Sequence, residues 1–152
     1  MTETLVIADA SCLILLQKIG ALPLMQRLFQ CVLITPEVAR EVRFSVPNWV
    51  EVVPVANPQQ QKTLELTLDV GEASSIALYF EQPGALLVID ERKGRAVARR
   101  LNLNFCGTLR LLAEAKRRGL IPSVRELLDQ IDTTDFRLTE TLKATILRDA
   151  GE

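Results

Sequence analysis

Two short apolar runs of this chain each end in an aspartate at the start of a predicted helix. Val6-Ile7-Ala8 precedes Asp9, and Leu86-Leu87-Val88-Ile89 precedes Asp90. Apolar, β-branched runs of this length are typical of strands that are buried on both faces of a parallel sheet. Ligands of such open sheets bind outside the carboxyl ends of the strands. The two aspartates are therefore predicted to share one sheet edge, where they could share a metal ion or a phosphate.

Strand and helix patterns alternate along the whole chain. The predicted strands are residues 5–8, 31–34, 49–53, 86–89 and 104–106. The predicted helices are residues 12–19, 22–29, 36–44, 72–79, 91–101, 109–118, 123–130 and 140–149, with a short helix in 56–68. This alternation predicts an α/β fold of three α/β/α layers, with a mostly parallel sheet of about five strands and helices on both faces.

The length of 152 residues predicts one domain over residues 1–152, in which residues 133–152 form a C-terminal helical extension. Leu138, Leu142 and Ile146 recur every four residues and give the last helix an apolar stripe. This stripe either packs on its own domain, which we favour, or covers a partner surface.

The composition excludes several kinds of chemistry. The chain has no histidine, which excludes imidazole acid–base catalysis, Ser-His triads and His-ligated zinc. A metal must then be held largely by oxygen, which favours Mg²⁺ or Mn²⁺. Three widely spaced cysteines, Cys12, Cys31 and Cys106, are predicted to be buried thiols. No apolar stretch reaches the roughly 20 residues of a membrane span, and no signal peptide is recognisable, so we expect a cytoplasmic location without membrane attachment.

Charge is distributed unevenly, although the net charge is only −1. Residues 91–118 contain two acids, Glu91 and Glu114, against nine basic residues, a local net charge of +7. The nine are Arg92, Lys93, Arg95, Arg99, Arg100, Arg110, Lys116, Arg117 and Arg118. A basic stretch beside an acidic site suits a nuclease, because cationic side chains hold phosphates while carboxylates hold a metal. A solvated, Lys/Arg-rich helix surface explains the same pattern equally well.

Further acids can join the two aspartates. Glu37 and Glu41 lie one turn apart on a predicted helix, and Glu72 lies in the first turn of a helix rich in small residues. Together with Asp9 and Asp90, Glu41 and Glu72 could bring four carboxylates into one pocket. Such carboxylates raise one another's pKa unless a divalent ion neutralises them, and one or two such ions support phosphodiester hydrolysis.

Each of these residues also has an ordinary structural explanation. Glu41 could be a solvated surface residue, Glu72 could compensate the helix dipole or cap the helix, and both aspartates could occupy plain strand-to-helix turns. Ser11 and Thr108 are hydroxyls at such turns; they could orient a ligand or water, or only cap their helices.

Five motifs in order along residues 4–132 resemble the PIN-domain family. They are Val6-Ile7-Ala8-Asp9-Ala10-Ser11, Pro36-Glu37-Val38-Ala39-Arg40-Glu41-Val42, Leu68-Asp69-Val70-Gly71-Glu72-Ala73, Leu87-Val88-Ile89-Asp90-Glu91-Arg92-Lys93-Gly94-Arg95 and Gly107-Thr108-Leu109. Their order and spacing are similar to the prokaryotic branch close to the toxins of toxin–antitoxin pairs. Two positions depart from that pattern, since Ser74 and Glu91 stand where a further acid and a second aspartate are common.

The resemblance implies a magnesium- or manganese-dependent ribonuclease fold. It places Asp9, Glu41, Glu72 and Asp90 on the acidic positions of the family and Thr108 on its frequent polar position. Homodimerisation and a cognate antitoxin are further implications.

The leading hypothesis is therefore a metal-dependent endoribonuclease in which these four acids hold the ion and Arg92, Lys93 or Arg95 contact the RNA backbone. A phosphatase or phosphoacceptor domain with Asp9 as nucleophile is weakened, because Asp9-Ala10-Ser11 lacks a second aspartate two residues on. A third hypothesis is a catalytically silent module that binds RNA or an antitoxin.

Overall fold

The computed structural model describes residues 4–152 and contains one five-stranded parallel sheet. The strands are β1 (Leu5–Ala8), β2 (Cys31–Ile34), β3 (Val50–Val52), β4 (Leu86–Val88) and β5 (Phe105–Cys106). Their order across the sheet is β3-β2-β1-β4-β5. The strand order reverses between β1 and β4, which is where open α/β sheets form a ligand crevice.

The described helices, in chain order, are α1 (Ala10–Lys18), α2 (Leu24–Leu28), α3 (Pro36–Val42), α4 (Pro58–Leu64), α5 (Val70–Glu81), α6 (Arg92–Arg100), α7 (Thr108–Arg117), α8 (Val124–Asp132) and α9 (Glu140–Asp149). Alternate strand residues face two separate apolar clusters. Val6 and Ala8 of β1 pack with residues from α1, α2, α7, α8 and α9, whereas Ile7 packs with residues from α5 and α6. The predicted three-layer α/β/α architecture is thus confirmed, and the sheet is parallel throughout.

Two local predictions were wrong. The first helix was predicted to begin at residue 12 with Ser11 as a possible cap, but α1 begins at Ala10 and Asp9 occupies the N-cap position, without a side-chain capping bond. Cys31 was expected to be buried, but it is the first residue of β2 and is exposed, whereas Cys12 and Cys106 are buried. All three thiols are free.

A pair of buried hydroxyls joins α3 to α5. Thr35 caps α3, accepting a hydrogen bond from the Val38 backbone N–H at 3.1 Å. Its Oγ1 also lies 2.7 Å from Ser74 Oγ, and Ser74 is itself 2.8 Å from the Gly71 carbonyl oxygen. Thr35 and Ser74 are fully buried. The hydroxyl at position 74 therefore fixes two helices that both carry acids of the predicted site.

We expect Thr35→Val to lower the free energy of unfolding by about 1–3 kcal/mol, because it keeps the packed volume but removes the cap and leaves a buried hydroxyl of Ser74 with one partner fewer. Urea denaturation measures the change. Thr139→Val is the matched control, since Thr139 caps the exposed start of α9 through the Leu142 N–H alone. A loss no larger at Thr35 than at Thr139 would contradict the structural role of the hydroxyl pair.

The C-terminal helix α9 packs on α7 and α8, as its apolar stripe predicts. Ile146 of that stripe is buried, while Leu142 remains 39% exposed. The Glu152 carboxylate accepts the Val124 N–H at 2.6 Å and lies 3.1 Å from Lys116 Nζ. The Val124 hydrogen bond stabilises the charged form and lowers the pKa of Glu152 to about 2. None of the helices in residues 4–152 combines the length and hydropathy that crossing a bilayer requires.

Candidate active site

Asp9 lies at the carboxyl end of the central strand β1. Its backbone N–H donates to the Val88 carbonyl oxygen of β4 at 3.1 Å, which places it at the crevice between the two strands. The residue is only 4% exposed, and its Oδ1 is buried without a hydrogen-bond partner among the described residues. Burial, reinforced by the nearby charges of Glu72 and Glu41, raises the pKa of Asp9 to about 7.

Glu72 combines a structural contact with an unsatisfied oxygen. Its backbone N–H donates to Asp69 Oδ1 at 2.8 Å, and its Oε1 accepts the Asp69 N–H at 3.4 Å, so the two residues form a capping box at the start of α5. The other oxygen, Oε2, is buried and has no hydrogen-bond partner in the described part of the chain. Burial and the charge of Asp69 raise the pKa of Glu72 to about 7. Capping therefore accounts for only one of its two oxygens.

Gly71 leaves a gap that three carboxylates surround. A Cβ at this position would lie 2.7 Å from Glu41 Oε1 and 3.6 Å from both Asp69 Oδ1 and Asp9 Oδ1. The three oxygens come from α3, from the N-cap of α5 and from the end of β1. The charges of neighbouring carboxylates disfavour the ionisation of Asp9, unless the acids are protonated or neutralised by a cation.

Glu41 extends this acidic group towards solvent. Burial, followed by the charges of Asp69 and Glu91, raises its pKa. Glu41 and Glu91 line an open cleft of about 320 Å³ together with Ser11 and Phe136, which we call the acidic cleft. The Ser11 hydroxyl oxygen is buried and makes no hydrogen bond to any described residue. Ser11, predicted as a supporting polar group, thus lines the cleft as an available donor.

Asp90 follows β4 but is held differently from the other acids. Its Oδ1 accepts the Thr108 N–H at 2.8 Å, and its Oδ2 accepts the Thr108 hydroxyl at 2.5 Å. Asp90 therefore binds the N-terminus of α7, and Thr108 sets its orientation. The structure gathers Asp9, Glu41 and Glu72 around one region, while Asp90 lies at the neighbouring strand end with both of its oxygens engaged.

Two further acids of the site were not selected from the sequence. Asp69 was recognised only as part of a motif, although Asp-x-x-Glu before a helix is the signature of a capping box and fixes both side chains. Glu91 is exposed at the N-cap of α6 and contributes to the raised pKa values of Glu41 and Glu72. Its position directly after Asp90 was the available signal.

The donor set fits a hard divalent cation, although the ligands do not yet form a coordination shell. Among residues 4–152, no three carboxylate or thiolate side chains are already spaced as a ready metal site. However, the three side-chain atoms nearest to the gap at Gly71 are carboxylate oxygens, and one of these, Asp9 Oδ1, is buried and has no hydrogen-bond partner among the described residues. Oxygen donors of this kind suit Mg²⁺ or Mn²⁺ rather than softer metals.

The predicted RNA-binding residues lie at the start of α6, next to the acids. Arg92 and Lys93 are exposed in the first turn of this helix. Gly94 allows the helix to approach closely, since a Cβ there would lie 2.9 Å from Glu72 Oε2. Arg95 is partly buried, and its guanidinium donates to the Ile89 carbonyl oxygen at 3.2 Å. Arg92 and Lys93 are therefore the more available cations.

A parallel sheet with carboxylates gathered at its carboxyl edge defines an α/β protein with a candidate acidic site where the strand order reverses. A family model described as a PIN domain matches residues 5–152. The chain therefore belongs to the PIN-domain family, whose members are generally nucleases, that is, hydrolases. A search of the curated proteins found no match, and a search of the solved structures found none either.

Proposed function

We propose that this protein is a metal-dependent endoribonuclease that hydrolyses RNA phosphodiesters with Mg²⁺ or Mn²⁺. The observation that carries the proposal is the gap at Gly71, around which oxygens of Asp9, Glu41 and Asp69 converge. Such a group of acids, one of them with an unpartnered buried oxygen, destabilises the fold when the acids are ionised. A bound cation would neutralise these charges and remove that cost.

In this proposal Asp9, Glu41 and Glu72 hold the ion directly or through water, and Asp69 adds a fourth oxygen. A bound divalent ion would activate a water molecule and stabilise charge on the phosphate. Asp90, oriented by Thr108, completes the predicted quartet from the neighbouring strand end.

The remaining polar residues of the site would bind and orient the substrate. The Ser11 hydroxyl is available to donate to a phosphate oxygen in the acidic cleft. Arg92 and Lys93 would hold the backbone of the RNA, with a smaller contribution from Arg95, whose guanidinium is already engaged.

We further propose that the protein acts in the cytoplasm as the toxin of a toxin–antitoxin pair, is neutralised by a cognate antitoxin and forms a homodimer. The support is the order and spacing of the five motifs, which resemble those of PIN toxins. Co-purification of the chain with the product of an adjacent reading frame, and loss of growth inhibition in its presence, would test the pairing.

A second candidate function is a catalytically silent module that binds RNA or an antitoxin. The observation that favours it is that no three acids among residues 4–152 already stand as a finished metal site. Metal binding without cleavage of any RNA would select this candidate, whereas Mg²⁺-dependent cleavage that EDTA abolishes selects the ribonuclease.

Gly71→Ala tests the site without removing any acid. The added methyl group would lie 2.7 Å from Glu41 Oε1 and occupy the gap between the carboxylates, so we expect RNA cleavage in Mg²⁺ to fall about 10-fold or more. Stability should stay the same or rise by up to about 1 kcal/mol, because alanine favours the helix and the Glu41 side chain can move. Cleavage rates and thermal denaturation measure the two effects.

Val70→Ala is the matched control, because it alters the same helical turn at a residue that is 48% exposed and carries no acid. We expect it to cleave RNA at close to the wild-type rate. Full activity in the Gly71 variant would contradict the proposed position of the ion.

A further inference from the structure

A second cleft, of about 470 Å³, adjoins the acidic cleft and has the opposite charge. It lies beside β5 and the start of α7. Its other side is formed by two residues just before α9, Phe136 and Arg137, and by two residues of α9, Leu142 and Ile146. We call it the basic cleft. The charged and aromatic residues that line it are Asp90, Arg95, Phe105, Arg110, Phe136 and Arg137. Three arginines against one aspartate give this lining a net charge of +2, which favours a polyanionic ligand.

Two of the arginines make no side-chain hydrogen bond or ion pair with the described residues, although the charge of Arg137 lies near that of Asp135. Arg110 and Arg137 are exposed, and neither makes a side-chain hydrogen bond or ion pair within residues 4–152. Arg95 differs, because its guanidinium donates to the Ile89 carbonyl oxygen. Arg110 and Arg137 are therefore the cations of this cleft that can contact a ligand without losing an existing bond.

The two aromatic rings of the cleft are also not equivalent. The Phe105 ring is covered by the guanidinium groups of Arg95 and Arg99, whose Cζ atoms lie 5.3 and 5.9 Å from its centroid. Phe136 makes no such ring or cation contact with any described residue. It also lines both clefts, so it lies where the acidic and basic surfaces meet.

We propose that the basic cleft is a nucleotide-binding subsite for single-stranded RNA beside the hydrolytic centre. Arg110 and Arg137 bind the phosphates of the nucleotide, and its base stacks on Phe136. Asp90 lines this cleft and also belongs to the proposed active site, so a nucleotide bound in the cleft would lie next to the phosphate that is hydrolysed. This inference rests on the proposed function for the identity of the substrate. It goes beyond that function because it gives an RNA-binding role to C-terminal residues that lie outside the five motifs.

Binding can be tested apart from cleavage by using the full chain with Asp9→Asn in EDTA. The probe is a short fluorescein-labelled single-stranded RNA of mixed sequence, and the readout is fluorescence anisotropy over a range of salt concentrations. We expect the double variant Arg110→Gln/Arg137→Gln to bind about 10-fold or more weakly at low salt. Its plot of log K against log salt should be shallower by about 1.4, because each of the two phosphates that is no longer neutralised lowers the slope by roughly 0.7.

Phe136→Leu removes the ring on which a base would stack but removes no charge, and leucine keeps an apolar side chain against the core on which Phe136 packs. We expect it to weaken binding about 5-fold or more at every salt concentration without changing the salt slope, because no charge is removed. The matched control is Arg125→Gln/Arg148→Gln, which removes two exposed arginines of α8 and α9 that do not line the cleft. We expect the control to retain its affinity within about twofold.

The inference is overturned if the parent chain does not bind the probe, if the Arg110/Arg137 variant binds as well as its parent, or if the control loses as much affinity. Cleavage by the chain with Asp9 intact, measured in Mg²⁺, separates this outcome from failure of the nuclease proposal. Cleavage with unchanged binding in the arginine variant removes only the subsite. Weakened binding without any cleavage supports the subsite and removes the nuclease.

Discussion

Replacing Asp9 by asparagine is expected to lower the rate of RNA cleavage at least about 100-fold while making the metal-free protein more stable near pH 8. Activity falls because the proposed ion loses a buried carboxylate oxygen at the centre of the site. Stability rises because asparagine removes a charge that burial and neighbouring acids disfavour. Single-turnover cleavage in Mg²⁺ and urea denaturation in EDTA measure the two opposite effects.

Asp129→Asn is the control for this substitution, since Asp129 is an exposed aspartate of α8 outside both clefts. It makes the same chemical change and should leave activity and stability close to wild type. An Asp9 variant that retains more than a tenth of the activity would remove Asp9 from the centre of the site.

The second large effect concerns the pH dependence of stability in the absence of metal. The pKa of Asp9 is about 7 in the folded protein against 3.8 for an ordinary aspartate. Between these values the folded state binds the proton more tightly, so the free energy of unfolding decreases as pH rises from about 4 to about 7 and then levels off. At about 1.4 kcal/mol per pKa unit, the loss is roughly 4 kcal/mol for this group. Glu72 acts in the same direction.

The difference in unfolding free energy between wild type and Asp9→Asn isolates this contribution. We expect the difference to be small at pH 4 and to grow towards pH 8 in EDTA, and saturating Mn²⁺ to restore stability at pH 8 in the wild type only. A ligand at 100 times its Kd stabilises by about 2.7 kcal/mol, so the restoration is measurable. A difference that does not vary with pH, or equal stabilisation of both proteins by Mn²⁺, would contradict the shared cation.

Most of the fold could be predicted from the sequence, because its signals are local. The β1 and β2 runs end where a polar residue and a helix begin, and their predicted bounds coincide with the structure. The predicted helix over residues 36–44 begins at the same residue as α3, which Thr35 caps. The error at Cys31 lies at a strand end: β2 starts at this residue, which is exposed, whereas the three residues that follow it in the strand are buried.

The site was only partly predictable, because its geometry depends on how helices approach each other. Strand ends pointed to Asp9 and Asp90, but nothing local revealed that Thr108 engages both oxygens of Asp90. The gap at Gly71 arises from the packing of α3 against α5, which no motif encodes. Arg137 lies well outside the five motifs, and only the folded chain brings it beside Arg110.

The contact between Thr35 and Ser74 separates the frame of the site from its chemistry. Neither hydroxyl gains or loses a proton in the range where the surrounding carboxylates titrate, and neither responds to screening by salt. The spacing of α3 and α5 is thus set by a hydrogen bond between two uncharged groups. The acids on these two helices can therefore gain or lose protons as a cation binds and dissociates. The contact that positions α3 against α5 does not change with them.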